Sequence, residues 1–319
     1  MNFKSFLKLV EIQTKTASVI SFLLGSVYVI YRFKQFDPAN FFIMFASLLC
    51  IDMATTAINN YMDFKKANIK SGFGYEKHNA IVRDNLKEST VVLIIVVLLL
   101  LAAGLGLVLV LRTNIVVLLL GALSFAIGIL YSLGPIPISR TPFGEIFSGS
   151  FMGLIIPFLA VYIHVYDQNL LNISLTAGQL TISANLIEIV YILLISWTAA
   201  AGIANIMLAN NICDMDDDLA NFRYTLPIYI GRKNALNVFR ALYYSGYLAV
   251  AFLVVMRILP ILSALTILTL LIVQKNIQQF FRLQSKKDTF VLAVNNFSLM
   301  SIVLILTLAV AVIFNMIFA

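Results

Sequence analysis

Three residues of one short segment have the types and spacing to hold a cation. Asn210, Asp214 and Asp218 lie in Asn210-Asn211-Ile212-Cys213-Asp214-Met215-Asp216-Asp217-Asp218, each four residues from the last. Residues four apart share a face of an α-helix, so one amide and two carboxylates line one side of a helix end. Oxygen ligands of this kind suit Mg2+, which is typically held by one or two carboxylates together with substrate phosphates. The chemistry expected is a Mg2+–diphosphate site; the competing reading is a solvated acidic loop with no ligand. A calcium loop beginning at Asp214 is set aside. Its sixth and twelfth positions need Gly and Glu and are Leu219 and Thr225 here.

A second polar segment, Asn59-Asn60-Tyr61-Met62-Asp63, repeats the four-residue step once. Asn and Asp also end helices for structural reasons, so this pair alone is a weak signal. Beside the 210–218 cluster it gains weight, because two acidic groups on one side of a membrane could converge on one multi-metal diphosphate site. A diphosphate also needs cationic partners, and arginine suits bidentate phosphate contact. Lys65, Lys66, Lys77 and Arg83 follow the first cluster and Arg223 follows the second. Setting topology accounts for most of these lysines. His78 is either an acid–base group or incidental. Glu145 reads as a helix-start carboxylate favoured by the macrodipole. Asp52, inside an apolar run where charge is expensive, is either structurally hydrogen-bonded or at a cavity.

The elements that must position these residues are membrane helices. The chain has 319 residues, 61% hydrophobic and only 12% charged, whereas soluble domains are about a quarter charged. Long uncharged runs such as 90–111, 114–133 and 301–319 exceed the roughly 18 residues that suffice to cross the hydrocarbon core. They lack the alternation of a β-barrel. The fold class expected is an all-α membrane bundle forming a single domain over 1–319. Its spans fall at about 17–31, 41–62, 90–111, 114–133, 143–165, 185–209, 234–256, 258–274 and 291–318. No small-residue cleavage site precedes a soluble domain, so the first span reads as uncleaved. Every Lys and Arg except Arg32, Lys34, Arg112 and Arg257 falls on the side of the N-terminus in this topology. The positive-inside rule then places the N-terminus and both acidic loops in the cytosol of a multi-pass cell-membrane protein. The net charge of +7 is this flanking charge and does not signal nucleic acid. Cys50 and Cys213 form no metal-type or redox-type pair.

With these residues in place, the chain resembles the UbiA-type intramembrane aromatic prenyltransferases, which carry Asp-rich motifs of the form Asn-x3-Asp-x3-Asp after helices 2 and 6. Asn210, Asp214 and Asp218 match in full, while Asn59 and Asp63 match in part. The next acid would fall at Ala67 or Ile69, and Glu76 and Asp84 are the acids nearby. Within the family the likeness is nearest to the 1,4-dihydroxy-2-naphthoate polyprenyltransferases. It rests on 59–66, Ala80-Ile81-Val82-Arg83, Tyr131-Ser132-Leu133-Gly134-Pro135, Gly144-Glu145 and 210–226. A lysine common in the family four residues after the span-4 tyrosine is Pro135 here, and Arg140 is the nearest base.

The resemblance implies Mg2+ held by Asp63, Asp214 and Asp218, which act catalytically. It implies a polyprenyl diphosphate bound with the help of Asn59, Lys66, Arg83, Tyr131, Asn210 and Arg223. Ionisation would give an allylic cation shielded by aromatic faces, with Tyr131, Phe151 and Phe158 as candidates. The 1,4-dihydroxy-2-naphthoate ring would attack it with loss of its carboxyl group and a proton, and the isoprenoid tail would lie against membrane lipid. Rival readings are another acceptor (4-hydroxybenzoate, haem or a glycerophosphate), a secondary transporter and a non-catalytic scaffold. A transporter predicts ionisable groups near mid-membrane, whereas the carboxylates here cluster at one face.

Overall fold

A backbone in hydrocarbon has no water to bond, so long apolar runs fold into helices that satisfy their own N–H and C=O groups. The computed structural model describes residues 2–66, 79–134, 137–176 and 178–318, without the side chains of Lys66 and Thr176. Among the described residues, 9 helical segments are long and apolar enough to cross a membrane, in line with the expected bundle. Lys77 and His78, and the positions Glu76, Ala67, Ile69 and Pro135, lie outside the described residues.

A short helix α1 (Phe3–Leu9), capped by the Asn2 side chain, enters α2 (Thr16–Phe33) through a 3-10 turn. Then come α3 (Pro38–Lys66), the single turn α4 (Ala80–Arg83), α5 (Glu88–Arg112) and α6 (Ile115–Ser132). The fifth span is α7 (Gly144–Ser150) and α8 (Ile156–Val165), joined by a π-helical turn at Phe151–Ile155. After a β-hairpin follow α9 (Leu186–Cys213), α10 (Met215–Ala220), α11 (Leu226–Ile230) and α12 (Arg232–Val255). The last spans are the pair α13 (Leu265–Leu268) and α14 (Leu270–Arg282), and then α15 (Phe290–Phe318).

Helix α9 is the central post, packed on α7, α12, α15 and α2. Its approach to the fifth span needs Gly153, where a Cβ would overlap the Ala200 backbone. Small residues let helix backbones approach in this way.

Two features depart from the sequence reading. The first span starts at Ile12 rather than 17. Lys15, expected to flank the membrane, is only 3% exposed. Its ammonium donates to Asp52 Oδ1 at 2.6 Å and Thr56 Oγ1 at 2.5 Å, and Ser18 Oγ donates to Asp52 Oδ2 at 2.5 Å. Asp52 is therefore structural: a buried charge persists because an opposite charge and hydrogen bonds compensate it.

The second departure lies between the expected spans 143–165 and 185–209, to which no element is assigned above: the chain there forms an antiparallel hairpin of β1 (Leu171–Thr176) and β2 (Gln179–Ala184). Its pairing sets Leu171 opposite Ala184, Ile173 opposite Ile182 and Leu175 opposite Leu180, with polar pairs between them.

The far end of the bundle from the acidic motifs is tied by its own network. Arg32 pairs with Glu188 at 2.5 Å, Arg112 pairs with Asp37 at 3.3 Å, and His164 Nδ1 accepts from the Asp37 N–H at 2.9 Å. Two of the four basic residues assigned to that side thus have carboxylate partners.

Candidate functional site

The second acidic motif keeps its helical spacing through a break in the helix. Asp214 closes α9 and caps α10. Its N–H donates to the Asn210 carbonyl at 3.1 Å, and the Asp218 N–H donates to the Asp214 carbonyl at 2.7 Å. The i, i+4 ladder therefore carries Asn210, Asp214 and Asp218 on one side, as the spacing predicts. The chain then reverses: Phe222 takes a left-handed conformation at φ 55°. The Arg223 N–H caps the Asp218 carbonyl at 2.8 Å.

This reversal encloses Asp218, which is 3% exposed. Arg223 Nε lies 3.3 Å from Asp218 Oδ1 without the alignment of a hydrogen bond among the described residues. Thr225 Oγ1 donates to Asp218 Oδ2 at 3.2 Å. Burial holds the Asp218 carboxyl above the usual carboxylate range, with the Arg223 guanidinium pulling the other way. Asp214 is less buried. The Lys286 ammonium, from the loop between α14 and α15, donates to both Asn210 Oδ1 and Asp214 Oδ2.

A second layer supports the motif. Glu145, which the sequence offers only as a helix-start carboxylate, is 3% exposed. Its Oε1 accepts from Asn211 Nδ2 at 2.8 Å. Glu145 Oε2 and Asn211 Oδ1 are buried and find no hydrogen-bond partner among the described residues. The 138–140 turn also joins the motif, since the Tyr224 N–H donates to the Arg140 carbonyl at 3.2 Å and Arg223 reaches the Ser139 carbonyl at 3.5 Å.

The first motif ends α3. Asn60 is buried, and its amide donates to the Leu9 carbonyl at 2.9 Å and to Glu11 at 3.2 Å. The Asn79 side chain donates to the Asn60 carbonyl at 2.8 Å. These bonds bring the N-terminal residues to the motif-bearing end of the bundle. Asn59 and Asp63 are exposed. Lys65 pairs with Glu88 at 2.5 Å, Lys66 ends the helix, and Arg83 pairs with Asp84 at 2.8 Å. That contact holds the Asp84 carboxyl down at about 2, so this one of the two substitute acids is already engaged.

The last turn of α6 touches both motif-bearing helices. Ser132 Oγ donates to Asn59 Oδ1 at 3.2 Å, and its neighbour Tyr131 places its hydroxyl 3.2 Å from Met207 Sδ, one turn before Asn210. Adjacent side chains thus touch both motif helices. No group of three His, Cys, Asp or Glu gathers in metal-binding proximity among the described residues. Of the aromatic candidates, Tyr131 stands at this junction. Phe151 stacks on Phe147 with centroids 6.0 Å apart. Phe158 is a core residue stacked on Tyr162 at 5.9 Å.

The sequence reading missed Glu145 as a partner of the second motif, and it missed Asn211 and Lys286. Asn211 had a signal in its adjacency to Asn210. Lys286 had none, because it lies 76 residues from Asn210.

The sequence pattern of the UbiA prenyltransferase family matches residues 18–303. The chain is 32% identical over 242 residues to a 1,4-dihydroxy-2-naphthoate octaprenyltransferase of Bacillus subtilis, covering 76% of this chain and 71% of that one. In fold it is similar to an apo UbiA homolog from Aeropyrum pernix K1, with TM-score 0.67, 19% identity and coverage of 94% of this chain and 98% of that one. It is similar also to a UbiA homolog from Archaeoglobus fulgidus bound to GPP and Mg2+, with TM-score 0.65, 16% identity and coverage of 97% and 99%.

Proposed function

The chain belongs to the UbiA prenyltransferase family, and from that premise we propose that it transfers a polyprenyl group from polyprenyl diphosphate to 1,4-dihydroxy-2-naphthoate, in menaquinone synthesis. The observation that carries the choice of acceptor is the 32% identity to the Bacillus subtilis octaprenyltransferase over 242 residues, 76% of the chain. The protein is a multi-pass membrane enzyme. Its basic motif-bearing end faces the cytosol of the cell membrane in this reading, with the N-terminus on the same side.

The donor set of the second motif fits Mg2+. An amide oxygen and a carboxylate oxygen, Asn210 Oδ1 and Asp214 Oδ2, already point at one cation, the Lys286 ammonium. Hard oxygen donors that converge on a positive charge are the ligand chemistry of Mg2+. Asp214 and Asp218 from one motif and Asp63 from the other would hold the ion or ions. Held by these residues, a divalent ion would supply positive charge to neutralise the departing diphosphate.

The chain's own residues do the rest. Arg223 presents a guanidinium beside Asp218, placed to contact a phosphate oxygen, and Lys66 and Arg83 add positive charge at the first motif. Tyr131 sets an aromatic face at the junction where allylic positive charge would develop. In the reaction the allylic C–O bond breaks, the diphosphate keeps the electron pair, a ring carbon forms the new C–C bond, the acceptor's carboxyl group leaves as CO2, and a proton is released.

The test is an acceptor panel with purified protein and a polyprenyl diphosphate, with and without Mg2+. The expected result is Mg2+-dependent turnover with 1,4-dihydroxy-2-naphthoate and little with 4-hydroxybenzoate. Preference for another acceptor would overturn the acceptor assignment and leave the prenyltransferase class standing.

A further inference from the structure

The loop between α14 and α15 contributes a side chain to the second motif. We propose that Lys286 is a tethered cation: it competes with a metal for the Asn210–Asp214 pair and turns to the diphosphate when a metal takes that pair. This rests on the metal reading above. The Lys286 ammonium bonds both Asn210 Oδ1 and Asp214 Oδ2, the two oxygens best placed to ligate an ion. Its side chain is half exposed, so it has room to swing away.

The loop itself is fixed. Thr289 Oγ1 accepts from the Ser285 N–H at 2.9 Å and donates to the Leu283 carbonyl at 2.8 Å. The Gln284 amide donates to the Phe280 and Phe281 carbonyls at 2.7 and 2.9 Å. The loop therefore presents one flexible charged arm from a rigid base. An ammonium has three donors and no preferred plane. It can neutralise Asp214 when metal is absent and bond a phosphate oxygen when Asp214 is taken.

The two roles carry opposite signs, which makes them separable from a structural role. Lys286→Met, in full-length detergent-solubilised protein, is expected to bind Mn2+ about threefold to fivefold more tightly by electron paramagnetic titration, the gain that loss of an exposed ion-pair competitor allows. It is expected to bind inorganic pyrophosphate about tenfold more weakly in the presence of Mg2+, with Lys286→Arg restoring most of that affinity. Weakening of both affinities, or change in neither, would overturn the tethered-cation role while normal Mn2+ binding by the unmodified protein left the metal site intact. Absence of Mn2+ binding in the unmodified protein would sink the metal reading and this inference together.

An independent observation concerns the hairpin between α8 and α9. Its register puts Leu171, Ile173, Leu175, Leu180, Ile182 and Ala184 on one face, and Asn, Ser, Thr and Gln on the other. The root of the apolar face packs on the core through Leu171 and Ile173. The rest of that face, Ile182 and the tip pair, does not: Leu175 is 74% exposed, Leu180 64% and Ile182 61%. We infer that this tip rests in the headgroup–acyl boundary of the bilayer. The apolar face continues into exposed Leu186 and Ile187 at the start of a span. The unpaired outer edges of a two-stranded hairpin exclude deeper burial in hydrocarbon, and the uncharged polar face suits the headgroup side.

The test uses Trp197→Phe protein, which lacks the native tryptophan, at one copy per nanodisc containing brominated lipid. Tryptophan at Leu180 or Leu175 is expected to be quenched at least twofold more than tryptophan at Thr181 or Ser174. Equal quenching of the two faces, or stronger quenching at the polar one, would overturn the placement.

Discussion

The two acidic motifs share a spacing and differ in how they are built. The second is a closed local unit: ladder bonds run from Asn210 to Asp218, the chain reverses at Phe222, and Arg223 and Thr225 return to the same carboxylate. The first is an open helix end. Its buried residue, Asn60, is used to fasten the N-terminal segment and residue 79, while Asn59 and Asp63 stay exposed. Contacts close in sequence set the backbone of the second motif and the surroundings of Asp218 before any ligand arrives, and Lys286 is the side chain left to turn. The first must be completed by long-range contacts such as Ser132 to Asn59. A preorganised site does not have to reorganise during reaction, so the second motif is expected to carry more of the catalysis.

The sharpest way to break that contrast is to remove one acid at a time and measure kcat/KM for prenyl transfer. Asp214→Ala and Asp218→Ala are each expected to cost about 10³-fold, and Asp63→Ala about 10²-fold, the range seen when a preorganised charge-stabilising group is lost. An Asp63 effect as large as that of Asp214 would erase the asymmetry.

Next in size is the support beneath the second motif. Asn211→Ala strips the buried Glu145 carboxylate of a 2.8 Å donor and is expected to destabilise the protein by about 1–3 kcal/mol. Thermal unfolding in detergent reads this out, and an unchanged midpoint would show that the pair does not hold the site.

A smaller effect has a defined pH sign. Burial raises the Asp218 carboxyl above its ordinary value of 3.8. The protonated form is then favoured by folding, and the charged form at neutral pH works against it. With metal chelated, Asp218→Asn is expected to raise the unfolding midpoint by about 2 °C at pH 7–8. That gain shrinks as pH falls through the raised folded-state value and is absent below about 3.8, where the wild-type carboxyl is protonated in both folded and unfolded states. A lower midpoint at every pH would mean that the Arg223 pair outweighs the cost of burial.

The smallest expected effect tests the link between motifs. Ser132→Ala removes one neutral 3.2 Å bond and is expected to cost about 1 kcal/mol or less, read as a fall in turnover of no more than about fivefold. A larger fall confined to turnover would mean that Ser132 does more than align Asn59.

Composition and periodicity alone determined the membrane bundle, the approximate limits of its spans, and the helical face shared by Asn210, Asp214 and Asp218. These follow from hydrophobicity and from the 3.6-residue turn, both local properties of the chain. Only tertiary structure decided that Lys15 is buried against Asp52, that Glu145 faces Asn211, that Tyr131 and Ser132 join the two motif helices, and that Lys286 answers Asp214. Each of these pairs spans many residues along the chain, and which long-range partners meet depends on how the helices pack side by side. The hairpin falls between the two cases: its alternation of Leu171, Ile173 and Leu175 is visible in the chain, but its pairing appears only once α8 and α9 bring the strand ends together.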